Sequence, residues 1–271
     1  MNTTPKHLQL LDSLDIPNLL KDKKIIVTGG GGAIGRATVL LLASFGAQVL
    51  AADRADEPLR ETRKAAEEKG LDVETFVADV SDQEAVRSLI DFTVQTFGGL
   101  TTICNNAAVN LPGDVESVSA VDFRTSMDVN VGGPFYMAKH SIPHLRQAGG
   151  GSIINTGSVN STMAEQQLSA YCTSKGAVLM LTRAIAVDYA TEGIRANCLG
   201  VGFIDTPFNH PHHEKLGGAE AVAGSLTDGI PMGRGGEPEE IAAATAWLAS
   251  DLATYVTGAL IPVDGGLSAG F

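Results

Sequence analysis

Short β-branched runs alternate with longer amphipathic runs along this chain. A cluster of glycines directly follows the first of the short runs, and no fixed repeat or low-complexity linker divides the sequence. These observations predict one α/β domain, a doubly wound, mostly parallel seven-stranded sheet with helices on both faces. The 271 residues suffice for a single domain of that kind with a substantial core.

The elements follow in order. Residues 25–28 read as a buried strand and 34–45 as the helix after the glycines, with 48–52 the next strand. Helical spacing over 57–69 ends at Gly70, a C-terminal cap, and 73–78 is the third strand. Ser81 is expected to cap a helix running to residue 97, with Glu84 completing a capping box, before a fourth strand over 101–105. A long helix spans 121–147, with a local irregularity near Gly132, Gly133 and Pro134. The fifth strand lies in 151–156, a second long helix in 168–192 and the sixth strand in 194–199. Residues 205–235 are irregular and rich in Gly, Pro and His; they read as a substrate lid that bends at Gly217, Gly218 and Gly224. Glu237-Pro238 starts a helix to residue 250, and 259–263 is the last strand. The catalytic domain is thus placed at 23–271. Residues 1–22 form an extension in which Leu8, Leu11, Leu14 and Ile16 either pack as a short helix on the body or a neighbouring subunit, or stay disordered.

Composition narrows the function. A formal charge of −12 argues against nucleic acid and anionic membrane as partners, since both demand a basic surface. Cys104, Cys172 and Cys198 match neither a disulfide framework nor a zinc pattern and read as small buried hydrophobes in a reducing compartment. Asp12 and Asp15 interrupt the N-terminal apolar run, so it is no secretory signal, and the longest apolar stretch, 37–52, is too short to span a bilayer. A cytoplasmic protein is expected.

In a doubly wound sheet, chemistry gathers in the loops after the strands. The first such loop, Thr28-Gly29-Gly30-Gly31-Gly32-Ala33-Ile34-Gly35, lets backbone N–H groups and a helix N-terminus meet a pyrophosphate; a purely structural turn is the alternative. Asp53 follows the second strand, 18 residues beyond Gly35. A carboxylate there accepts both ribose hydroxyls and repels a 2′-phosphate, which points to NAD over NADP, although Arg54 beside it tolerates a phosphate. No Lys or Arg lies between Gly29 and Gly35. On the second long helix, Tyr171 and Lys175 share a face at i and i+4. A nearby ammonium is expected to lower the phenol pKa, making Tyr171 a general base toward an alcohol or an acid toward a carbonyl.

Together these features resemble the short-chain dehydrogenases/reductases, in their NAD-type branch of about 250 residues, from about residue 23 to 266. The motifs that carry the resemblance are Thr28-Gly29-x-x-x-Ala33-x-Gly35, Asp79-Val80, Asn105-Asn106-Ala107-Ala108, Asn130, Ser158, Tyr171-x-x-x-Lys175 and Val263-Asp264-Gly265-Gly266. The resemblance implies a Rossmann-like fold and hydride transfer between NAD and a secondary alcohol or ketone. Tyr171 would exchange the proton, Lys175 would lower its pKa and hold the nicotinamide ribose, Ser158 would bond the reacting oxygen, and Asn130 would hold a relay water. Gly29, Gly31, Ala33, Ile34 and Gly35 would cradle the pyrophosphate, with Asp53 and Arg54 at the ribose. Asp79 and Val80 would meet the adenine, Asn106, Ala107 and Ala108 would line the middle, and Gly202, Ile204 and Thr206 the nicotinamide half. Ala33 and Ala108 replace common glycines, both mild changes, while Val201 replaces a proline and loosens the loop before Gly202. The resemblance also implies a homotetramer built through 121–147 and 168–192.

Substrate contacts are expected from 110–115, 160–168 and 205–235. The mostly polar stretch 160–168 points to a small polar secondary alcohol such as a sugar, polyol or hydroxy acid, unless those side chains face water. His210, His212 and His213 read as solvated or substrate-facing and not as a metal site, because the chemistry needs no metal. Two other functions compete: an NADPH-dependent carbonyl or 3-ketoacyl thioester reductase, and an NAD-sensing protein without turnover.

Overall fold

The structure, a computed structural model, describes residues 16–218 and 227–270. Its sheet comprises β1 (Lys24–Thr28), β2 (Gln48–Asp53), β3 (Val73–Val77), β4 (Thr102–Asn105), β5 (Gly151–Thr156), β6 (Ile194–Val201) and β7 (Leu260–Val263). The strand order is β3-β2-β1-β4-β5-β6-β7, and every pairing is parallel. The chain runs outward from β1 to β3, then returns to place β4 on the other side of β1. The strand ends therefore part at β1 and β4, where a crevice opens at their carboxyl edge.

The period-2 strand pattern builds two cores. Ile25 and Val27 of β1 and Val49 and Ala51 of β2 enter one cluster; Ile26, Leu50 and Ala52 enter the other. The first cluster is covered by α1 (Ala33–Ser44), α2 (Asp56–Glu67) and α8 (Pro238–Ala249) through Val39, Leu42, Leu59 and Ile241. The second is covered by α3 (Gln83–Phe97), α5 (Gly133–Gln147) and α6 (Ser169–Tyr189) through Ile90, Met137 and Ile185. Strands covered on both faces read as continuous apolar runs, which is why β1 and β2 were recognisable.

Several boundaries differ from expectation, three of them with a clear physical reason. The cap of α3 is Asp82, whose Oδ1 accepts from the Glu84 and Ala85 N–H groups, and not Ser81. Ser81 is engaged elsewhere: its N–H and Oγ both donate to Asp79 Oδ1, at 2.9 and 2.7 Å. The long helix 121–147 is α4 (Ala120–Met127) and α5 joined by a π-turn, Asp128–Gly132, so the irregularity begins before the Gly-Gly-Pro that suggested it. The helix predicted over 168–192 leaves α-geometry at Tyr189, and a 3₁₀ turn, Ala190–Glu192, closes on Gly193 with φ of 73°.

Just before β1, Leu20 is fully buried in the first cluster and its N–H donates to the Phe45 carbonyl, while Ile16 is exposed. Leu8, Leu11 and Leu14 lie outside the described residues, as does Gly224. Cys104 and Cys198 are buried, Cys172 is half-buried, and all three are free thiols. Among the described residues, no helix is long and apolar enough to cross a membrane.

Candidate active site

A cavity of about 740 Å³ occupies the carboxyl edge of the sheet, from the glycine loop to the segment after β6. At its first end, β1 turns sharply at Gly29 (φ 65°) into α1. At Gly29, Gly31 and Gly35 this turn has room only for glycine. A Cβ on Gly35 would collide with the Gly29 carbonyl oxygen, one on Gly29 would lie 2.9 Å from the Ala107 Cα, and one on Gly31 would strike Pro58. Thr28 and Asn106 hold the turn from behind. Thr28 Oγ1 accepts from the N–H groups of Asn106 and Ala107, both at 3.1 Å, and Asn106 Nδ2 donates to the Thr28 and Gly29 carbonyls, both at 3.2 Å.

Asp53, at the end of β2, faces that loop: its Oδ2 accepts the Gly31 N–H at 3.1 Å. Arg36, the first cation past the glycines, is committed to the framework. Its Nε donates to Thr62 Oγ1 at 3.1 Å, and one guanidinium nitrogen donates to Glu61 at 2.7 Å and to the Gly31 carbonyl at 3.2 Å. Arg54 is exposed at the cavity edge.

The other end holds Ser158, Tyr171 and Lys175, all buried. Ser158 caps the 3₁₀ turn Val159–Ser161 after β5, while Tyr171 and Lys175 occupy the first two turns of α6. Lys175 Nζ lies 5.5 Å from the Tyr171 ring centre and donates to the Thr156 carbonyl at 2.7 Å. Burial raises the Tyr171 phenol well above its ordinary value, and a hydrogen bond with Ser158 offsets only part of that rise. Burial likewise brings the Lys175 ammonium down to about 8. The lowered phenol pKa expected from the sequence is therefore not what this arrangement produces: desolvation of both groups outweighs their proximity.

Every predicted cofactor residue lines the cavity: Gly29, Gly31, Ala33, Ile34, Gly35, Asp53, Arg54, Asp79, Val80, Asn106, Ala107, Ala108, Gly202, Ile204 and Thr206, with Tyr171 and Lys175. Asn130 stands behind the wall, buried in the π-turn. Its Nδ2 donates to the Val109 carbonyl at 3.0 Å and to Ser174 Oγ at 2.9 Å, and its Oδ1 accepts the Val109 N–H at 2.8 Å. Ser174 in turn donates to the Tyr171 carbonyl at 2.7 Å. Asn130 thus ties the loop after β4 to the helical turn that carries Tyr171.

Comparison with known proteins agrees with this geometry. A family model described as enoyl-(acyl carrier protein) reductase matches residues 31–268. A 2,5-dichloro-2,5-cyclohexadiene-1,4-diol dehydrogenase of Sphingobium indicum is 41% identical over 252 residues, covering 92% of this chain and 98% of the relative. The crystal structure of levodione reductase superposes with a TM-score of 0.90 at 34% identity, covering 93% of this chain and all of the other. A gluconate 5-dehydrogenase from Burkholderia cenocepacia, solved in complex with NADP and tartrate, gives 0.87 at 30% identity over 94% and 99% of the two chains. This chain is a short-chain dehydrogenase/reductase. As such it is a hydride-transferring oxidoreductase of alcohols that works with a nicotinamide cofactor.

The substrate end of this dehydrogenase departs from the sequence reading. Of the polar stretch 160–168, Asn160, Glu165, Met163, Ala164 and Leu168 reach the cavity, whereas Ser161, Thr162, Gln166 and Gln167 do not. Opposite them stand Phe203 and Phe208, the latter with its ring centre 6.1 Å from that of Tyr171. The pocket is amphipathic, not polar, because a loop's composition does not reveal which of its side chains turn inward. His212 and His213, on the short helix α7 (His210–Lys215), are buried against the cavity, so the solvated alternative falls away for both. His213 packs against Phe203 with ring centres 5.8 Å apart and the planes tilted by 44°, and burial lowers its pKa. Sequence reasoning missed Thr156 and Phe203. Both lie just at or beyond the carboxyl ends of strands β5 and β6, where the sheet rule could have placed them.

Proposed function

We propose that this protein is an NAD-dependent dehydrogenase of a small secondary alcohol whose ring or chain carries further hydroxyls. The convergence of Ser158, Tyr171 and Lys175 on one wall of the cavity carries this reading. The glycine turn fits a dinucleotide, since a Cβ at Gly29, Gly31 or Gly35 would fill the cradle. Bound there, NAD supplies the hydride acceptor, and the chain supplies orientation and proton handling.

Tyr171 takes the alcohol proton and Ser158 holds the reacting oxygen beside it. Lys175, anchored on the Thr156 carbonyl, presents its ammonium to the ribose hydroxyls and to the phenol. Asn130 acts as a positioning residue through Ser174, with both protons of its amide donated to the Val109 carbonyl and Ser174 Oγ. Asp53 faces the glycine loop and Arg36 is engaged by Glu61, an arrangement that accepts ribose hydroxyls more readily than a 2′-phosphate. Phe203, Phe208 and Met163 supply apolar contact while Asn160, Glu165 and His212 supply hydrogen bonds, which suits a compact hydroxylated ring. We further assign a homotetramer: Val121 and Phe123 on α4, Phe135 on α5 and Met180 and Val187 on α6 are large apolar side chains left exposed on the helices expected to meet.

Following reduced nicotinamide absorbance with NAD and NADP in parallel tests this reading. The panel would span cyclic alcohols, cyclic diols, open polyols and hydroxy acids. Turnover with NAD on cyclic or polyhydroxy substrates is the expected result. A kcat/KM higher with NADP would overturn the assignment of Asp53, and activity confined to apolar ketones would overturn the substrate class.

A further inference from the structure

Glu165 and His212 face each other across the lid side of the cavity, with 3.9 Å between Glu165 Oε1 and His212 Nδ1. That gap is too wide for a hydrogen bond. The other imidazole nitrogen, Nε2, lies 3.0 Å from the Gln166 carbonyl oxygen. A carbonyl only accepts, so Nε2 donates there, and the other ring nitrogen, Nδ1, is the atom that faces the carboxylate. The Glu165 carboxylate and the His212 ring edge therefore border one space. The His212 side chain is 5% exposed and that of Glu165 36%, and both line the cavity. Glu165 Oε2, meanwhile, accepts from Asn160 Nδ2 at 3.4 Å, and Asn160 Oδ1 accepts from Ser158 at 3.0 Å. The carboxylate stands two hydrogen bonds from the serine beside Tyr171.

We propose that Glu165 and His212 form a subsite that accepts a second hydroxyl of the substrate, so that the enzyme selects diols over mono-alcohols of the same skeleton. This rests on the reading of alcohol oxidation at Tyr171. A diol oxidised at one carbon would place its remote hydroxyl in the gap, donating its one proton to the Glu165 carboxylate that Asn160 fixes, with its oxygen against His212 Nδ1. A mono-alcohol leaves that hydrogen bond unmade, and a site built for a hydroxyl disfavours the analogue that lacks it. An ammonium is the other donor that the carboxylate could take, and 4-aminocyclohexanol, assayed beside the diols, distinguishes it.

The test compares kcat/KM for the cyclohexane-1,2-, 1,3- and 1,4-diols with that for cyclohexanol, in the wild type, Glu165→Leu and His212→Phe. At least one diol should exceed cyclohexanol by about tenfold in the wild type, and each variant should erase most of that ratio through KM. Dinucleotide affinity, read by titration, reports that each variant is folded. Oxidation of all four compounds with no diol preference, or a preference that survives both substitutions, overturns the subsite and leaves the alcohol dehydrogenase reading standing. A tenfold preference for 4-aminocyclohexanol over every diol overturns the hydroxyl assignment. Failure to oxidise any of them with either dinucleotide overturns the parent reading, and the subsite falls with it.

Discussion

Around β1 and β2 the cavity wall is largely backbone, whereas around residues 158–168 and 203–213 it is largely side chains. In the first region Gly29, Gly31 and Gly35 let main chain approach main chain, and Thr28 and Asn106 bond carbonyls and N–H groups of the turn. In the second region Phe203, Phe208, Glu165 and His212 project from loops and a six-residue helix. A backbone cradle has few solutions, because Gly29, Gly31 and Gly35 leave no room for a Cβ. A wall of side chains admits many, so the same scaffold can change substrate without changing cofactor.

The largest expected effect breaks the chemistry and leaves the cradle alone. Tyr171→Phe should reduce kcat by about 10³-fold, within the range for a lost general acid/base, while the dinucleotide Kd moves less than threefold. Steady-state kinetics and titration separate the two. A variant that keeps a tenth of wild-type kcat would remove Tyr171 from the proton transfer. Gly35→Ala is the converse experiment. In an ordinary helix the change would stabilise by roughly 1 kcal/mol. Here the added methyl meets the Gly29 carbonyl oxygen, and overpacking of that kind costs about 1–3 kcal/mol or more. The expected readout is a dinucleotide Kd raised about 100-fold together with a lower denaturation midpoint. Unchanged affinity would show that the turn is not the cradle.

This contrast also governs what the sequence disclosed. A glycine run and short apolar runs are local signals. The position of the glycine turn and all seven strands could be read from them, whereas the strand order β3-β2-β1-β4-β5-β6-β7 is set by contacts distant in the chain. Tyr171 and Lys175 were legible because i and i+4 fixes their shared face before any tertiary contact forms. Burial is not local, so the sequence predicted the wrong direction for the Tyr171 pKa. Nor is loop orientation: Gln166 and Gln167 are as polar as Asn160 and Glu165, yet they turn away from the cavity. The π-turn was visible only as an awkward Gly-Gly-Pro, and its function, aiming Asn130 at both Val109 and Ser174, depends on elements distant in the chain.

Lys175 lies where the two regions meet, and its ionisation sharpens the comparison. Burial lowers its pKa from 10.5 to about 8. Below pH 8 both folded and unfolded chains are protonated there, and folding carries the full cost of a buried ammonium, about 3 kcal/mol. Between pH 8 and 10.5 the unfolded chain holds more protons than the folded one, so this residue makes stability rise with pH. Lys175→Met should therefore unfold at higher denaturant than the wild type at pH 7, less the lost bond to Thr156. The gap should narrow by pH 10. Urea titrations of the cofactor-free protein at both pH values decide it, and a gap independent of pH would refute the buried charge.

The smallest effect tests whether the cradle end also chooses its dinucleotide. Asp53 stands at the last residue of β2, its Oδ2 accepting the Gly31 N–H at 3.1 Å and its Oδ1 the Ala55 N–H at 3.4 Å, on the cavity wall where the proposed ribose site lies. Asp53→Asn keeps the size and removes the charge. Its hydrogen bonds to ribose hydroxyls become neutral ones, worth about half as much, which should lower kcat/KM with NAD by about tenfold, or 1.4 kcal/mol. Repulsion of a 2′-phosphate disappears at the same time, and exposed Arg54 remains at the edge to attract it, so kcat/KM with NADP should rise. Opposite movement of the two values is the signature of a carboxylate that discriminates. Parallel loss with both dinucleotides would mean that Asp53 serves only to hold Gly31, and that cofactor choice at this end is made by Arg54.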